Sequence, residues 1–290
     1  MRKITIIIPT YNRAQIIPRT LDSILVQTYQ DWECIVVDDH SQDNTEVVIG
    51  EYIAKDSRIK YLVNTQKKGA QGARNTGLLN AKSEWVIFFD SDNTMHPDYL
   101  ETLAYAIADD VDVIACYSSI VDVEKGDTGR VLKSNCRGNI EDDIFDGTCY
   151  VDFNHSMCRK SKVMEIGMLD ENVPSMQEWD THIRLSKVAR YTTIEKCLLD
   201  YYIGGKDAIS SDGRREVRGR LFILEKHIAE WRTRKSVATS YCASIIRLSY
   251  RTKNLWFIIK TICRILWLCP FILPYGALRA LSKLFKKSKK

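Results

Sequence analysis

The sequence contains no Cys-x-x-Cys pair, and its nine cysteines are scattered between positions 34 and 269. This spacing disfavours a zinc site and a disulfide framework, and it is typical of a protein in a reducing cytoplasm. No secretory signal peptide is expected either. The first apolar stretch, 4–8, is short, ends at Pro9 and is not followed by a small-residue cleavage site.

Long uninterrupted apolar runs are also missing. Residues 254–278 are rich in Trp, Ile and Leu, but Lys260, Arg264 and two prolines interrupt them. A transmembrane helix needs about 20 mostly apolar residues, and the uncharged part, 265–278, has only 14. Aromatic residues flanked by Lys and Arg favour a segment that lies in the headgroup layer of a membrane. A helical lid packed on the protein, followed by a solvated tail, would show the same pattern.

Positive charge is concentrated in the last quarter of the chain. Residues 214–290 contain 19 Lys and Arg against three Glu, whereas the first 213 residues have a net charge of −11. An anionic cytoplasmic leaflet attracts each nearby basic residue by about 1 kcal/mol. We therefore expect a cytoplasmic protein that is peripheral on the inner face of the cell membrane. Nucleic-acid binding is disfavoured because no nucleic-acid motif is present.

Strand and helix patterns alternate through about the first 115 residues. Apolar runs predict strands at 4–8, 33–37, 59–63, 85–89 and 111–116, with helical periodicity between them. This alternation predicts an α/β fold with a mostly parallel sheet and helices on both faces. Further helices are predicted at 160–166 and 179–189, and a strand at 191–199. We therefore predict an α/β domain over 1–205 and a basic helical region over 206–290.

Polar side chains follow three of the predicted strands, at 10–12, 38–39 and 90–92. In a parallel sheet these strand ends lie at one edge, where open α/β sheets bind ligands. Asp90 and Asp92 are two residues apart on extended backbone, so both could face one Mg²⁺ or Mn²⁺ that also binds substrate phosphates. Each segment has a structural alternative, as a solvated turn or a helix cap.

Four segments resemble the successive motifs of the family-2 inverting glycosyltransferases of GT-A fold. They are Pro-Thr-Tyr-Asn-Arg at 9–13, Val-Val-Asp-Asp-His-Ser at 36–41, Gly-Ala-Gln-Gly-Ala-Arg-Asn at 69–75 and Phe-Phe-Asp-Ser-Asp at 88–92. The resemblance covers about residues 3–200 and implies a Rossmann-like sheet flanked by helices. It also implies sugar transfer from a nucleotide-sugar, by default UDP-linked. The acceptor would be a glycan or polyprenyl-linked oligosaccharide in bacterial capsule, O-antigen or similar surface-polysaccharide synthesis.

The resemblance assigns roles to individual residues. The nucleotide would be bound by residues from all four motifs: Pro9, Thr10, Tyr11 and Asn12 in the pocket wall, Asp39 on the base, Arg74 near the nucleotide, and Asp90 with Ser91 near the ribose and diphosphate. Asp92 would bind Mn²⁺ or Mg²⁺.

The same resemblance places the catalytic base in an acidic pair on a later helix. In this sequence Ile-Gly-Met-Leu-Asp-Glu at 166–171 resembles the segment that precedes that helix. Glu178 stands where the family more often has Asp, and Gln177 replaces the usual Glu. A carboxylate here can accept the proton of the attacking acceptor hydroxyl. Asp180 is the second candidate, and helix capping is the structural alternative for Glu178.

Two departures from the family pattern leave other functions open. Many relatives have a histidine after the last strand of the domain, whereas 201–210 contains none, and Lys206 could contact the diphosphate instead. The changed pair at 177–178 would also suit a non-catalytic, membrane-bound partner of a glycan-assembly complex. Asp90-Ser-Asp-Asn-Thr94 matches the signature of Asp-nucleophile phosphatases. Its place after three α/β units disfavours that function.

Overall fold

The computed structural model of the protein describes residues 2–204 and 213–272. These residues form two compact units. One contains the chain up to 171 together with 177–204, and the other contains 172–176 and 213–272. The predicted boundary between 205 and 206 lies outside the described residues.

A single mixed sheet is the centre of the first unit. Its nine strands, counted over the described residues, are β1 (Ile4–Thr10), β2 (Trp32–Asp38), β3 (Ile59–Val63), β4 (Trp85–Phe88), β5 (Thr94–Met95), β6 (Val113–Asp122), β7 (Gly126–Leu132), β8 (Ser156–Arg159) and β9 (Tyr191–Ile203). Neighbouring strands follow the order β3-β2-β1-β4-β8-β6-β9-β5, and β7 pairs with β6. The α/β prediction is confirmed.

Half of the strand pairings are parallel. β3, β2, β1 and β4 run in parallel, and so do β6 and β9. The pairings β4–β8, β6–β8, β6–β7 and β5–β9 are antiparallel. The sheet is therefore less parallel than the sequence pattern predicted. The main reason is that β8 inserts between β4 and β6 and pairs antiparallel with both. The sequence did not predict β8, because a strand of four residues has no clear periodicity.

Helices cover both faces of this sheet. They are α1 (Ile17–Leu25), α2 (Thr45–Lys55), α3 (Ala70–Asn80), α4 (Tyr99–Tyr105), α5 (Asp143–Asp146), α6 (Lys160–Glu165) and α7 (Gln177–Leu185), with a 3₁₀ turn at Phe153–His155. All seven residues of β1 and all seven of β2 are buried, as expected for strands that are covered on both faces.

One close packing contact sets the position of α3. A Cβ on Gly77 would lie 2.3 Å from Cγ2 of Ile7 on β1, so only glycine allows the helix to approach the strand this closely. This contact places the first turns of α3 beside the carboxyl ends of β1 and β2. Arg74 is in those turns, so the close approach brings it to the predicted site.

The second unit is helical. Its helices are α8 (Gly213–Lys226), α9 (Ile228–Thr233), α10 (Lys235–Arg251) and α11 (Leu255–Leu268). α10 packs against α8, α9 and α11, and Trp231 stacks on Tyr241 with ring centroids 4.6 Å apart. In the parts of the chain that the structure describes, no helix is long and apolar enough to cross a membrane.

One expectation about cysteine is wrong. Cys136 and Cys149 form a disulfide, although the scattered cysteines predicted no disulfide framework. The two residues are 13 positions apart, in a segment without regular periodicity, and the folded chain brings them together. Cys34, Cys116, Cys158, Cys197, Cys242, Cys263 and Cys269 are free thiols.

Candidate nucleotide and acid–base site

The first two sequence motifs form one continuous surface at the ends of β1 and β2. Asp39 N donates to Thr10 O at 2.8 Å, and Asn12 N donates to Ser41 Oγ at 2.8 Å. Asn12 adopts a left-handed φ of 52°, and its Oδ1 accepts from Gln42 N at 2.7 Å. Because α1 begins only at Ile17, neither Thr10 nor Asn12 caps it. The capping alternative is therefore wrong for both residues.

The remaining residues of the first motif differ in exposure. Pro9 is buried inside β1, whereas the Tyr11 ring is 44% exposed and lies 5.1 Å from Lys68 Nζ. The Thr10 hydroxyl is buried and has no hydrogen-bond partner within the described chain. A buried hydroxyl of this kind needs a partner. The motif thus combines an exposed aromatic face with an unused polar group.

Asp39 connects the second motif to the third. Its Oδ1 accepts from Asn64 Nδ2 at 2.7 Å, and its Oδ2 accepts from Gly69 N at 2.8 Å. Gly69 has a φ of 129°, which L side chains rarely adopt, so a glycine suits this position. Each carboxylate oxygen has a second lone pair, which leaves Asp39 able to accept from a further donor. The Asp38 carboxylate instead accepts hydrogen bonds from the hydroxyl groups of Ser41 and Tyr61 and stabilises the turn.

Arg74 and Asp90 form an ion pair between the third and fourth motifs. Arg74 Nη2 lies 2.6 Å from Asp90 Oδ1, and Arg74 Nη1 donates to Gln71 Oε1 at 2.8 Å. The guanidinium is buried over the Phe153 ring, whose centroid is 4.7 Å away. Arg74 Nε and Gln71 Nε2 are buried without a partner among the described residues. The pair therefore retains donors that a bound ligand could use.

Asn154 was not predicted and belongs to this site. Its Nδ2 donates to Asp90 Oδ2 and to Asp152 Oδ1, both at 2.8 Å, and its Oδ1 accepts from Asp90 N at 2.7 Å. Asp152 also accepts from Asn154 N at 2.9 Å and thereby caps the 3₁₀ turn. The only sequence signal was an Asp-x-Asn pair before a short strand, which is too common to indicate a site.

The surroundings of Asp92 disfavour the charged form of its carboxyl group. Burial and the neighbouring Asp90 raise the pKa of Asp92 to about 6, against the opposing effect of Arg13 and Arg19. Arg19 stacks on Tyr202 at 3.6 Å and donates to the backbone oxygen of Asp92 at 2.5 Å. Asp92 lies in a turn, as its structural alternative predicted, but its side chain is partly buried and not fully solvated. Ser91, between the two aspartates, is also buried.

The carboxylates present suit a cation that takes most of its ligands from a substrate. Among the described residues, no group of three or more His, Cys, Asp or Glu is arranged to hold a metal ion. Both oxygens of Asp90 are already bound by Arg74 and Asn154. Mg²⁺ commonly binds through one or two protein carboxylates, with phosphates and water as the other ligands. Asp92 fits that pattern, because a cation would offset the burial and the repulsion by Asp90 that raise the pKa of its carboxyl group.

The two candidate bases lie on different sides of α7. Glu178 is in the first turn, where burial and Asp152 raise its pKa to about 7, while Arg74 opposes the shift. Asp180 is fully buried, and its Oδ2 lies 3.0 Å from Arg184 Nε. Residues two apart on a helix point in nearly opposite directions. Glu178 is therefore grouped with the donor-site charges, whereas Asp180 is part of a buried ion pair.

The helix-capping alternative for Glu178 is not supported, because α7 begins at Gln177 and Glu178 lies inside its first turn. Two histidines near this helix are core residues. Burial lowers the pKa of His155, and it lowers the pKa of His182 to about 3. Both rings are therefore neutral at physiological pH. Lys206, which was predicted as a possible diphosphate contact, lies outside the described residues.

The model of one protein family matches this chain. It is described as Glycosyl transferase family 2, and the match covers residues 5–167, more than half of the chain. The chain belongs to glycosyl transferase family 2. The matched region contains the four motifs and Asn154, and it ends before α7.

Similar family 2 proteins are glycosyltransferases from bacteria. The chain is 45% identical over 98 residues to the Escherichia coli UDP-Glc:α-D-GlcNAc-diphosphoundecaprenol β-1,3-glucosyltransferase WfgD, a match that covers 34% of this chain and 38% of WfgD. It is 39% identical over 104 residues to the Campylobacter jejuni GalNAc(5)-diNAcBac-PP-undecaprenol β-1,3-glucosyltransferase, covering 36% and 34%. The chain thus spans little more than a third of the length of these relatives.

Two solved structures share the fold of this chain. Staphylococcus aureus TarS 1–349 in complex with UDP-GlcNAc superimposes with a TM-score of 0.63 at 18% identity, covering 86% of this chain and 81% of that chain. The mannosyltransferase PcManGT from Pyrobaculum calidifontis, in complex with GDP-Man and Mn²⁺, also has a TM-score of 0.63, at 17% identity, covering 97% and 79%. These similarities confirm the GT-A architecture that the sequence motifs predicted.

Proposed function

We propose that this protein is a metal-dependent inverting glycosyltransferase. It transfers a sugar, a hexose or N-acetylhexosamine, from a UDP-linked donor to a hydroxyl of a glycan or polyprenyl-linked acceptor in bacterial surface-polysaccharide synthesis. The observation that carries the proposal is the convergence of Arg74, Asp90, Asp92 and Glu178 at the carboxyl edge of the sheet, in a family 2 chain. WfgD takes its sugar from UDP-Glc, and TarS binds UDP-GlcNAc, which supports UDP as the nucleotide.

The donor is bound by groups that are already held in place. Asp39 accepts an N–H of the base. Asn64 Nδ2 and Gly69 N each donate to one of its oxygens and so keep the carboxylate in one orientation. The exposed Tyr11 ring and the Thr10 hydroxyl belong to the same pocket, beside Asn12. Asp90 and Ser91 lie next to the ribose and diphosphate, where Arg74 offers the N–H of its unpaired Nε. Groups fixed in advance lose little entropy on binding.

Asp92 is the residue that would hold Mn²⁺ or Mg²⁺. The ion supplies Lewis-acid stabilisation of the negative charge that builds on the departing diphosphate. Burial of Asp92 beside Asp90 raises the pKa of Asp92 and makes a bound cation favourable. Arg74 adds positive charge on the same side and stabilises the same developing charge.

Glu178 acts as the general base. Its pKa of about 7 lets it exist as a carboxylate at neutral pH and still hold a proton during the reaction. The acceptor oxygen bonds to the anomeric carbon as the bond from that carbon to the diphosphate oxygen breaks. The hydroxyl proton passes to Glu178, and the configuration at the anomeric carbon inverts. Asp180 stays the second candidate, because its carboxylate is paired with Arg184.

Thermal unfolding with UDP and Mn²⁺ tests the donor site. We expect UDP with Mn²⁺ to raise the melting temperature, and Asp92→Ala to remove the metal-dependent part of the increase. Asp109→Ala, which changes an exposed aspartate, is the matched control and should retain the full increase. The proposal fails if none of UDP, GDP, CDP or dTDP gives a metal-dependent shift. If UDP with Mn²⁺ does raise the melting temperature, hydrolysis of a panel of sugar nucleotides would identify the sugar.

We also propose that the enzyme works on the cytoplasmic, inner face of the cell membrane as a peripheral protein. Two relatives act on acceptors named as undecaprenol diphosphates, which are lipids. The basic region 206–290 supports the same location, although 205–212 and 273–290 lie outside the described residues.

A further inference from the structure

One side of α11 presents large apolar side chains to solvent. Leu255, Trp256 and Trp267 are 70%, 72% and 69% exposed, and Ile259 and Cys263 are exposed between them. The opposite side of the helix is buried against its own unit, through Ile258, Thr261, Ile265 and Leu268. α11 contacts α10 and α8 with that buried side. We call the exposed side, made of Leu255, Trp256, Ile259, Lys260, Cys263, Arg264 and Trp267, the tryptophan face.

The tryptophan face is a continuous strip along the helix. Trp256, Ile259, Cys263 and Trp267 follow the spacing of residues on one side of an α-helix. With a rise of about 1.5 Å per residue, the two tryptophans are about 16 Å apart along the axis. Single exposed apolar residues are common, but a continuous exposed apolar strip marks an interaction surface.

The charges that α11 itself carries are positive. Lys260 and Arg264 lie between the tryptophans, and α11 contains no Asp or Glu. Arg264 also packs over the Trp267 ring at 4.7 Å and pairs with Glu225 of α8. Arg251 and Lys253, just before the helix, are exposed. Tryptophan side chains flanked by basic residues suit the boundary between headgroups and acyl chains of an anionic bilayer.

The dimensions of α11 suit a helix on a membrane surface. Its 14 residues extend about 21 Å, which is less than the hydrocarbon thickness of about 30 Å. Its inner side is already used by the protein core. The helix therefore offers the bilayer one side only.

We propose that the tryptophan face inserts into the headgroup layer of an anionic lipid bilayer, with the axis of α11 parallel to the membrane plane. This deepens the proposed function, because it names the surface by which the transferase meets a membrane that holds its acceptor. Trp256 and Trp267 supply the apolar contact, and Lys260, with Arg251 and Lys253 just before the helix, attracts the anionic headgroups.

Co-sedimentation with vesicles tests the apolar contact. We expect the full chain to bind vesicles of phosphatidylcholine and phosphatidylglycerol in equal parts. Trp256→Ala/Trp267→Ala should weaken binding by about tenfold or more, since two large apolar side chains are lost. The matched control is Val47→Ala/Tyr105→Ala, which removes exposed apolar side chains from the other unit and should not change binding. Equal binding by the tryptophan variant and the control would overturn the proposal.

A fluorescent label on Cys263 tests which surface is inserted. Cys263 is an exposed thiol on the tryptophan face, and the label becomes specific in a Cys197→Ser background, since the other free thiols are buried. An environment-sensitive nitrobenzoxadiazole label should shift its emission to the blue when the vesicles are added. Vesicle binding without this shift would mean that basic residues elsewhere bind the lipid. A blue-shifted emission before vesicles are added would mean that another segment or a second copy covers the face. Either result would overturn the proposal.

The outcome is separable from that of the donor-site proposal. UDP with Mn²⁺ should raise the melting temperature of Trp256→Ala/Trp267→Ala as much as that of the unchanged protein. Loss of vesicle binding with an intact nucleotide response locates the defect at the tryptophan face. Loss of both responses in this variant would show that the substitutions disturb the fold, and in that case Lys260→Glu, which leaves both tryptophans, must weaken vesicle binding for the proposal to stand.

Discussion

Asn154 and Asp90 are joined by two hydrogen bonds. Asn154 Nδ2 donates to Asp90 Oδ2 at 2.8 Å, and Asp90 N donates to Asn154 Oδ1 at 2.7 Å. Since Arg74 binds the other carboxylate oxygen, the Asp90 side chain cannot rotate without breaking a contact. The aspartate that is expected beside the ribose and diphosphate is thus oriented by a residue from a distant part of the chain.

Replacing Asn154 should weaken both folding and donor binding. We expect Asn154→Ala to lower the free energy of unfolding by about 1–3 kcal/mol, because buried groups of Asp90 and Asp152 lose their partner. The affinity for UDP with Mn²⁺ should fall about tenfold as Asp90 becomes free to rotate. Urea unfolding and nucleotide titration measure the two effects. Asn139→Ala, which removes an exposed amide, is the control. Unchanged nucleotide affinity in Asn154→Ala would show that Asn154 does not position the donor site.

The rate of sugar transfer should depend on the protonation of Glu178. A general base works only when deprotonated, and burial beside Asp152 raises the pKa of Glu178 to about 7. We therefore expect kcat/KM to rise with pH up to about 7 and then to level off. Glu178→Gln should bind UDP with Mn²⁺ normally and lose transfer by at least about 100-fold. Full transfer activity in this variant would exclude Glu178 as the base.

The same substitution should stabilise the fold above neutral pH. The pKa of Glu178 is raised from 4.5 to about 7 in the folded state, so the folded protein binds more protons between these two values. Its contribution to stability is therefore lost as the pH rises through that window. At pH 8, Glu178→Gln should raise the free energy of unfolding by about 1–3 kcal/mol. At pH 4 the difference should be close to zero. A uniform effect at both pH values would point to packing instead.

Asp180 should behave as a structural residue. Its carboxylate pairs with Arg184, which also donates to Ile166 O and Met168 O at 2.9 and 2.6 Å. Breaking a buried ion pair by removing one partner costs about 3–5 kcal/mol. We expect Asp180→Asn to lower the free energy of unfolding by about 2–4 kcal/mol while the pH dependence of transfer stays unchanged. Glu195→Gln, which breaks the exposed pair with Arg137, should cost less than about 1 kcal/mol. Loss of the pH dependence in Asp180→Asn would make Asp180 the base.

The sequence alone indicated the fold and the family. Its apolar runs predicted β1–β4 close to their observed positions, and its helical periodicity predicted helices between them, because local side-chain patterns dominate in a buried parallel sheet. The sequence also predicted that the polar groups after β1, β2 and β4 lie together, since parallel strands end at one edge of a sheet. The roles of Asp39, Arg74, Asp90 and Asp92 stay predictions, now supported by the Arg74–Asp90 ion pair and by the fixed orientation of the Asp39 carboxylate.

Only the tertiary structure separated Glu178 from Asp180 and added Asn154 to the site. In the sequence both carboxylates are candidate bases, and only the family resemblance ranks Glu178 before Asp180. The physical difference between them comes from the residues that surround α7. Asn154 and Asp152 stand in a segment without periodicity, and they reach Asp90 because β8 pairs antiparallel with β4. Similarly, α11 is apolar on most sides, so its sequence does not show which side packs and which side is exposed. These features depend on contacts between residues far apart in the chain, and no local pattern records such contacts.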